Sequence, residues 1–309
     1  MTYAEIVRKI KNLEIQGAIN IAIKGVEAFG LKLKETTDEK KLKKYMEEII
    51  KTRATEPALR NGLKFCFENR NKLKDPTKEV IKYFKDSKIK IAEIGEKKIK
   101  SGMKVFTHCH SSTVEDILIL AKKNGKNFEV YNTETRPKFQ GRITAANLAK
   151  AGIPVLHMVD SAGRSMIKKC DLFLFGCDAI TAEGFLINKI GTESLVDAAN
   201  EANIPAYSCT SAWKFDTLTV NGKEEEIEQR NGKEVWDKAP KGVKIYNPAF
   251  EISPPDKFTG IITELGVFKA ETLVAEVQKK YPYLFGYHKQ SQKKHCHPET
   301  SSGQQNSKF

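Results

Sequence analysis

The sequence predicts an α/β fold in which a Rossmann-like parallel sheet domain is preceded by an all-helical N-terminal domain. Apolar residues recur at helical spacing through about the first hundred residues. From Met103 onward, short apolar or β-branched runs alternate with helical stretches, which is the pattern of a parallel sheet covered by helices. The chain has 309 residues, 40% of them hydrophobic and 29% charged, which allows two domains with a sizeable core and excludes a disordered chain.

The N-terminal region is expected to form helices only. Helical periodicity runs over residues 4–28, where Gly17 and Gly25 interrupt it, and Asp75-Pro76 marks a later break. The other helical segments are 40–52, 56–68 and 78–98. We therefore expect an all-helical domain over residues 1–98.

Five short apolar runs then alternate with helices. The predicted strands are 103–107, 128–132, 154–159, 171–176 and 205–209, and the predicted helices are 112–124, 142–151, 161–169 and 192–202. The polar residues 215–245 should form turns before a last apolar run at 260–268 and a helix at 270–279. Residues 99–287 are therefore expected to form the Rossmann-like domain, and the polar residues 288–309 a disordered tail.

The charge of the chain is concentrated near its start. There are 52 Lys and Arg residues against 39 Asp and Glu, and residues 1–100 hold 25 basic and 15 acidic groups, which is +10 of the net charge of +13. Because Lys alternates with Glu at helical spacing, the pattern argues against nucleic acid and favours a solvated surface or phosphorylated small molecules as ligands. Without a membrane-spanning window or a secretory signal, a soluble, cytoplasmic protein with reduced thiols is expected.

Common cofactor motifs are missing from the sequence. No G-x-G-x-x-G follows the first predicted strand and no G-x-x-x-x-G-K-[ST] occurs, which argues against a dinucleotide site and an NTPase. His-Cys-His stands at 108–110 and again at 295–297, but neighbouring side chains of an extended segment point in opposite directions. We therefore expect neither a metal nor a cofactor.

Polar side chains gather where the predicted strands end, the edge at which open parallel sheets bind ligands. Cys109 follows the first strand and precedes a helix, whose amides and dipole should lower the pKa of the thiol from about 8.5. A buried, inert cysteine is the alternative. Asp178 follows the apolar fourth strand, where a carboxyl tends to keep its proton and can act as a general acid, although it could also cap the next segment.

Anion-binding groups lie at the same edge. Ser112 and the amides around it open a helix, Lys189 precedes another helix, and Lys214 follows the fifth strand. For Lys189, a solvated side chain is the alternative. A thiolate base, a protonated acid and cation-lined pockets together fit proton transfer on a phosphorylated sugar.

Long segments of the chain resemble the initiation factor 2B regulatory subunits and the related sugar-phosphate isomerases. The resemblance covers about residues 8–285, and within the family it is strongest to the archaeal ribose 1,5-bisphosphate isomerases. The segments that carry it are THCHSS (107–112), TETRPKFQGRITAANLAKAGIPV (133–155), CDAIT (177–181), NKIGT (188–192) and YNPAFEISPP (246–255).

The resemblance implies an aldose–ketose isomerase that converts ribose 1,5-bisphosphate to ribulose 1,5-bisphosphate without a cofactor. In the isomerase branch a Cys of the THC motif accepts a proton and an Asp of the GxD motif donates one, and these are Cys109 and Asp178 here. The resemblance also implies AMP as an effector in nucleotide salvage, and a homo-oligomer that is a hexamer or a dimer. The family's substrate contacts fall on Gln16, Gly17, Ala18, Ile19, Arg53, Ser111, Ser112, Thr113, Asn188, Lys189 and Lys214.

One segment departs from the family pattern. An Arg-Gly-Ala-Gly stretch holds a phosphate in that branch, but the corresponding residues here are Gln16, Gly17, Ala18 and Ile19. The change removes a bidentate anion donor and crowds the backbone. It leaves open an isomerase of a monophosphorylated pentose such as methylthioribose 1-phosphate. The basic N-terminal region leaves open a non-catalytic regulatory subunit that binds initiation factor 2.

Overall fold

A seven-stranded sheet forms the centre of the molecule. In the computed structural model, which describes residues 1–53, 55–222 and 227–285, this sheet is parallel apart from one antiparallel edge strand. The strands are β1 (Lys104–Thr107), β2 (Glu129–Thr133), β3 (Val155–Met158), β4 (Leu172–Phe175), β5 (Ala179–Ile180), β6 (Leu186–Lys189), β7 (Ala206–Cys209), β8 (Phe250–Ser253), β9 (Gly260–Thr263) and β10 (Gly266–Phe268). The large sheet has the order β10-β9-β7-β4-β1-β2-β3, and β5, β6 and β8 form a second, antiparallel sheet.

Helices precede the sheet and cover both of its faces. They are α1 (Tyr3–Lys11), α2 (Ala18–Glu35), α3 (Glu39–Thr52), α4 (Pro57–Asn69), α5 (Pro76–Gly95), α6 (Ser112–Lys123), α7 (Gln140–Lys150), α8 (Gly163–Ile167), α9 (Thr192–Glu201) and α10 (Ala270–Lys280). The predicted class, an α/β protein with a parallel sheet behind an N-terminal helical region, is confirmed.

The alternation of side chains along the strands divides the core into two layers. Val105 and Leu174 face one layer with Ile91 of α5 and Ile117 of α6, whereas Phe106 and its neighbours on that face join a layer that continues into α1–α4. The domain boundary between residues 98 and 99 stays a prediction. The tail predicted at 288–309, with residues 286 and 287, lies outside the described residues.

A buried amide ties the N-terminal helices to the sheet. Asn61 of α4 donates from Nδ2 to the carbonyl oxygens of Trp213 (2.8 Å) and Phe215 (2.9 Å), which follow β7. Both bonds are buried, where unpaired carbonyls would be costly. As a result, Asn61 holds the carbonyl groups of the residues on both sides of Lys214.

Three local predictions differ from the structure. Gly25 does not interrupt α2, which continues through it. Close packing explains the glycine, because a Cβ at this position would lie only 2.3 Å from Leu59 Cδ1. The run 260–268 is a hairpin rather than one segment, and the segment 161–169 is a 3-10 turn followed by the short α8. The second sheet was not predicted.

Candidate active site

The order of the strands predicts a ligand crevice between β1 and β4. The chain builds β1, β2 and β3 in one direction and then returns to place β4, β7 and β9 on the other side of β1. Such a reversal opens a crevice beyond the carboxyl ends of the two central strands. Phe106 pairs with Phe173 in the register of these strands, so Cys109 after β1 and Asp178 after β4 both follow strands that border the crevice.

The backbone of Cys109 is fixed in an uncommon conformation. Its φ is +65°, in the left-handed region, where a non-glycine residue needs support from its surroundings. The Cys109 N–H donates to the Thr135 hydroxyl (3.0 Å), and the Thr144 hydroxyl donates to the Cys109 carbonyl (3.2 Å). Asp160 accepts from the amides of Thr135 and Arg136, both at 2.7 Å, and so holds the neighbouring loop.

The thiol of Cys109 does not have the lowered pKa that was expected. Burial raises its pKa to about 11, and Asp178 and Asp160 add to the effect, although the Lys189 ammonium and the His110 amide oppose it. The prediction of a thiolate made by the helix dipole was therefore wrong for this state of the protein. The effect of removing the sulfur from water on the pKa of the thiol is larger than the opposite effect of the favourable dipoles.

His108 connects the ends of three strands. Its Nε2 lies 3.0 Å from the Ile190 carbonyl, which can only accept, and its Nδ1 lies 2.5 Å from the Thr133 hydroxyl. Burial lowers the pKa of the imidazole, so the ring is neutral. It must then carry its proton on Nε2 and accept from Thr133 at Nδ1.

Several predicted contact residues meet above the crevice. Gly176 lies between Ser111 and Asn188, since a Cβ built there would approach Ser111 Cβ to 3.0 Å and Asn188 Oδ1 to 3.7 Å. Asn188 donates to the Thr192 hydroxyl (2.9 Å). Ser111 caps α6 by accepting from the Val114 amide at 3.4 Å, and the next two residues, the exposed Ser112 and the buried Thr113, begin that helix.

Lys189 is a buried cation of this group, with its ammonium 5.4 Å from the centre of the Phe250 ring. The helix start behind it is already occupied, because Glu251 of β8 accepts from the Glu193 amide at 2.6 Å. An anion held here therefore depends on the Lys189 side chain rather than on the amides of α9.

Lys214 lies next to Asp178. The Lys214 ammonium donates to the carbonyl oxygen of Cys177, which also accepts from the Thr210 hydroxyl at 3.4 Å. Because Asn61 fixes the carbonyl groups of the residues on both sides of Lys214, the buried cation is supported by the N-terminal helices and by the sheet.

A buried carboxyl that the sequence analysis missed stands in the same charge cluster. Glu56 is 2% exposed, immediately precedes α4, and has Oε1 3.2 Å from Nη2 of Arg53. Glu228 also approaches Nη2 of Arg53, at 3.9 Å. Burial and the neighbouring Asp178 raise the pKa of Glu56 to about 8. An acidic residue directly before Pro57 was the only signal in the sequence, and it indicates a helix cap rather than a site.

Residues 16–19 lie where α2 begins. Gly25 packs on Leu59 and Val26 on Gly62, so the second and third turns of α2 pack on the first two turns of α4. Gly17 has a φ of +84° and caps α2 without a side-chain hydrogen bond.

The side chains around Gly17 differ in their environments. Gln16 is exposed and donates from its amide to the Leu13 carbonyl at 3.0 Å. Ala18 is buried, and Ile19 is half-buried against the hydrophobic core. Among these four residues, none carries a charge that could replace a phosphate-binding Arg.

Two cavities found among the described residues are not lined by the predicted site residues. A cavity of about 490 Å³ lies beside Tyr83 and Glu264, and one of about 170 Å³ lies beside Arg70. The crevice is identified by its converging polar groups and not by its volume.

Within residues 1–53, 55–222 and 227–285, no group of three potential metal-ligating side chains was found and no helix has the length and apolarity of a membrane span. The second His-Cys-His, at 295–297, is outside these ranges.

Comparison with known proteins adds independent information. The Initiation factor 2 subunit family matches residues 14–270. A ribose 1,5-bisphosphate isomerase of Archaeoglobus fulgidus is 37% identical over 90% of this chain and 93% of its own. A 5-deoxyribose 1-phosphate isomerase of Clostridium botulinum is 33% identical over 86% of each chain. The crystal structure of the translation initiation factor eIF-2B of Pyrococcus horikoshii OT3 superposes with a TM-score of 0.78 at 32% identity, over 86% of this chain and 96% of that one.

Proposed function

The chain belongs to the Initiation factor 2 subunit family, and from that premise we propose that it is an aldose–ketose isomerase converting ribose 1,5-bisphosphate to ribulose 1,5-bisphosphate. One observation carries the proposal: Cys109 and Asp178 follow the two strands that border the crevice. The similarity to proteins named as sugar-phosphate isomerases supports the same reaction class.

The reaction moves one hydrogen from C2 to C1 of the sugar, and two groups suffice for it. The Cys109 thiol, protonated in its buried state, first passes its proton to Asp178. The thiolate then removes the C2 proton, the C–H electron pair forms a C1–C2 double bond, and Asp178 protonates the ring oxygen as its bond to C1 breaks. Such groups contribute about 10²–10⁴-fold each.

The second half of the reaction restores both groups. The product of the first half is an enol that carries the phosphate on C1 and a hydroxyl on C2. Cys109 returns its proton to C1 while Asp178 accepts the proton of the C2 hydroxyl, which leaves a ketone at C2. The thiolate and the carboxylic acid are then ready for the next sugar.

Cations and helix amides would hold the phosphates. Lys189, Lys214 and Arg53 are buried or nearly so, which strengthens their attraction for an anion. The amides of Ser111 to Thr113 at the start of α6 can bind the same group. The AMP effector, the role in nucleotide salvage, the hexameric or dimeric assembly and the cytoplasmic location remain part of this proposal.

A second candidate is the isomerisation of a monophosphorylated pentose. It is favoured by the uncharged Gln16 and the bulky Ile19 at the start of α2, where a second phosphate would otherwise gain a cation. The 5-deoxyribose 1-phosphate isomerase among the relatives acts, by its name, on such a sugar.

The test is incubation of the purified protein with ribose 1,5-bisphosphate and detection of ribulose 1,5-bisphosphate by ¹³C NMR. We expect turnover, and its loss in Asp178→Asn, which keeps the shape of the side chain. Turnover of 5-deoxyribose 1-phosphate alone would favour the second candidate. No turnover of either sugar, combined with stable binding to initiation factor 2, would replace both with a regulatory subunit.

A further inference from the structure

Glu56 is a buried acid that the proposed proton transfers do not use. One of its oxygens contacts Arg53, and the other, Oε2, is buried and has no hydrogen-bond partner among the described residues. A buried carboxylate oxygen without a partner is costly, so its presence calls for an explanation. The backbone of Glu56 accounts for the start of α4, since its carbonyl accepts from the Leu59 amide at 3.0 Å, but that role does not need an acid.

Charged groups from several elements surround this carboxyl. Arg53 follows α3, Lys214 and Asp178 lie in the segments after β7 and β4, and Glu228 precedes β8. With Glu56 ionised, three carboxylates face two cations, so the cluster has an excess of negative charge. With Glu56 protonated, the charges of the other four groups balance.

This balance matters for Arg53 in particular. Its side chain is 12% exposed and lies within 4 Å of carboxyl oxygens of both Glu56 and Glu228. A guanidinium that is already paired with a buried carboxylate binds a phosphate more weakly, and the carboxylate itself repels the negative charge of the phosphate. The state of Glu56 therefore controls how well Arg53 can bind an anion.

We propose that Glu56 determines whether the site accepts a second phosphate. As a carboxylate it keeps Arg53 paired and repels the phosphate on C5, and as a neutral carboxyl it releases Arg53 to that phosphate. The proposal rests on the assignment of this crevice to a pentose phosphate. If Glu56 has this role, the preference of the site for ribose 1,5-bisphosphate over a pentose with a single phosphate depends on pH.

The direction of the pH effect follows from the environment of the side chain. Burial raises the pKa of Glu56 to about 8, so the carboxyl is neutral below that pH and ionised above it. Affinity for the bisphosphate should thus fall as the pH rises through about 8, while affinity for a sugar without the C5 phosphate should not.

The experiment measures binding by isothermal titration calorimetry with two sugars, ribose 1,5-bisphosphate and 5-deoxyribose 1-phosphate, at about pH 6.5 and about pH 9. In the wild-type protein we expect the affinity for the bisphosphate, relative to that for the monophosphate, to fall about tenfold from the lower to the higher pH. The reason is that a nearby unit charge changes the binding of a charged group by about tenfold or more. Glu56→Gln keeps the shape of the side chain and should remove this dependence, apart from the titration of the phosphate itself.

Glu228→Gln is the matched control. It also removes a carboxyl beside Arg53, but this carboxyl is 35% exposed, so solvent should screen its charge and the affinity ratio should change less. An equal affinity ratio in wild type and Glu56→Gln at both pH values would overturn the proposal. If Glu56→Gln does not fold, a pH-independent ratio in the wild-type protein alone would overturn it.

The binding readout separates this proposal from the proposed function. If the sugars bind without turnover, the isomerase assignment fails, and the affinity ratio still decides the role of Glu56. If neither sugar binds at either pH, both proposals are wrong.

Discussion

The two halves of the candidate site are stabilised by different forces. In the strand-end half, made of residues 107–113 and 188–192, hydroxyls, a neutral imidazole and carbonyls support the loop of Cys109. The charged groups here are Asp160, which accepts from the neighbouring loop, and the buried Lys189. In the helical half, made of Arg53, Glu56 and Lys214, the supports include ionisable side chains from distant parts of the chain. Neutral hydrogen bonds depend little on pH or salt, whereas charge clusters depend on both. We refer to the strand-end half, which holds the proposed base Cys109, as the catalytic edge and to the helical half as the binding edge. We expect the binding edge to respond more strongly to pH and salt.

The largest effect should come from the catalytic edge. Cys109→Ser should lower the turnover of the sugar phosphate by about 10²–10⁴-fold, because a hydroxyl is a far weaker base than a thiolate. The Thr135 and Thr144 bonds go to the backbone of Cys109, so serine can keep them. Steady-state kinetics and a thermal melt of the same sample check both statements.

Wild-type turnover in Cys109→Ser would remove the proton-transfer role of the sulfur. Lost turnover together with a greatly lowered melting temperature would mean that the side chain is structural, and the contrast between the two halves would then be wrong.

The second effect concerns the connection between the halves. Asn61→Ala leaves the carbonyls of Trp213 and Phe215 without their buried donor and should lower the free energy of unfolding by about 2–4 kcal/mol. Asn69→Ala is the control in the same helix, because among the described residues the Asn69 amide donates to the Phe65 carbonyl one turn earlier and to no distant group. We expect about 0.5 kcal/mol or less for that variant. Urea unfolding of both variants gives the comparison, and equal losses would show that Asn61 is not the connection.

Much of the catalytic edge could be predicted from the sequence, because it depends on the end of each strand. The apolar run Leu172–Phe175 is buried on both faces and therefore marks its strand clearly, and the polar residues that follow it had to lie at the carboxyl edge. The second sheet could not be predicted. Ala179–Ile180 is a strand of two residues, too short for a periodicity, and it pairs only because β6 returns beside it.

The charge cluster could not be predicted for a different reason. Glu56 and Lys214 are 158 positions apart in the sequence, and nothing in their own segments indicates that they share one buried region. The pKa of Cys109 shows the same limit, because a helix start can be recognised in a sequence but the depth of burial cannot. Local dipoles favoured the thiolate, and the tertiary structure reversed the outcome by removing water.

The smallest effect tests the neutral character of the catalytic edge. Thr133→Val replaces the hydroxyl that donates to Nδ1 of His108 with a methyl group and leaves that buried nitrogen unpaired. We expect a loss of about 1–2 kcal/mol in the free energy of unfolding and a change in the ¹⁵N NMR shift of Nδ1. Thr133→Ser keeps the hydroxyl and should retain the wild-type shift. The ring should stay neutral at about pH 7 and above in the wild-type protein, because burial lowers its pKa from the ordinary value. An imidazole that gains a proton in this range would place a titrating charge beside Cys109, and both halves of the site would then respond to pH.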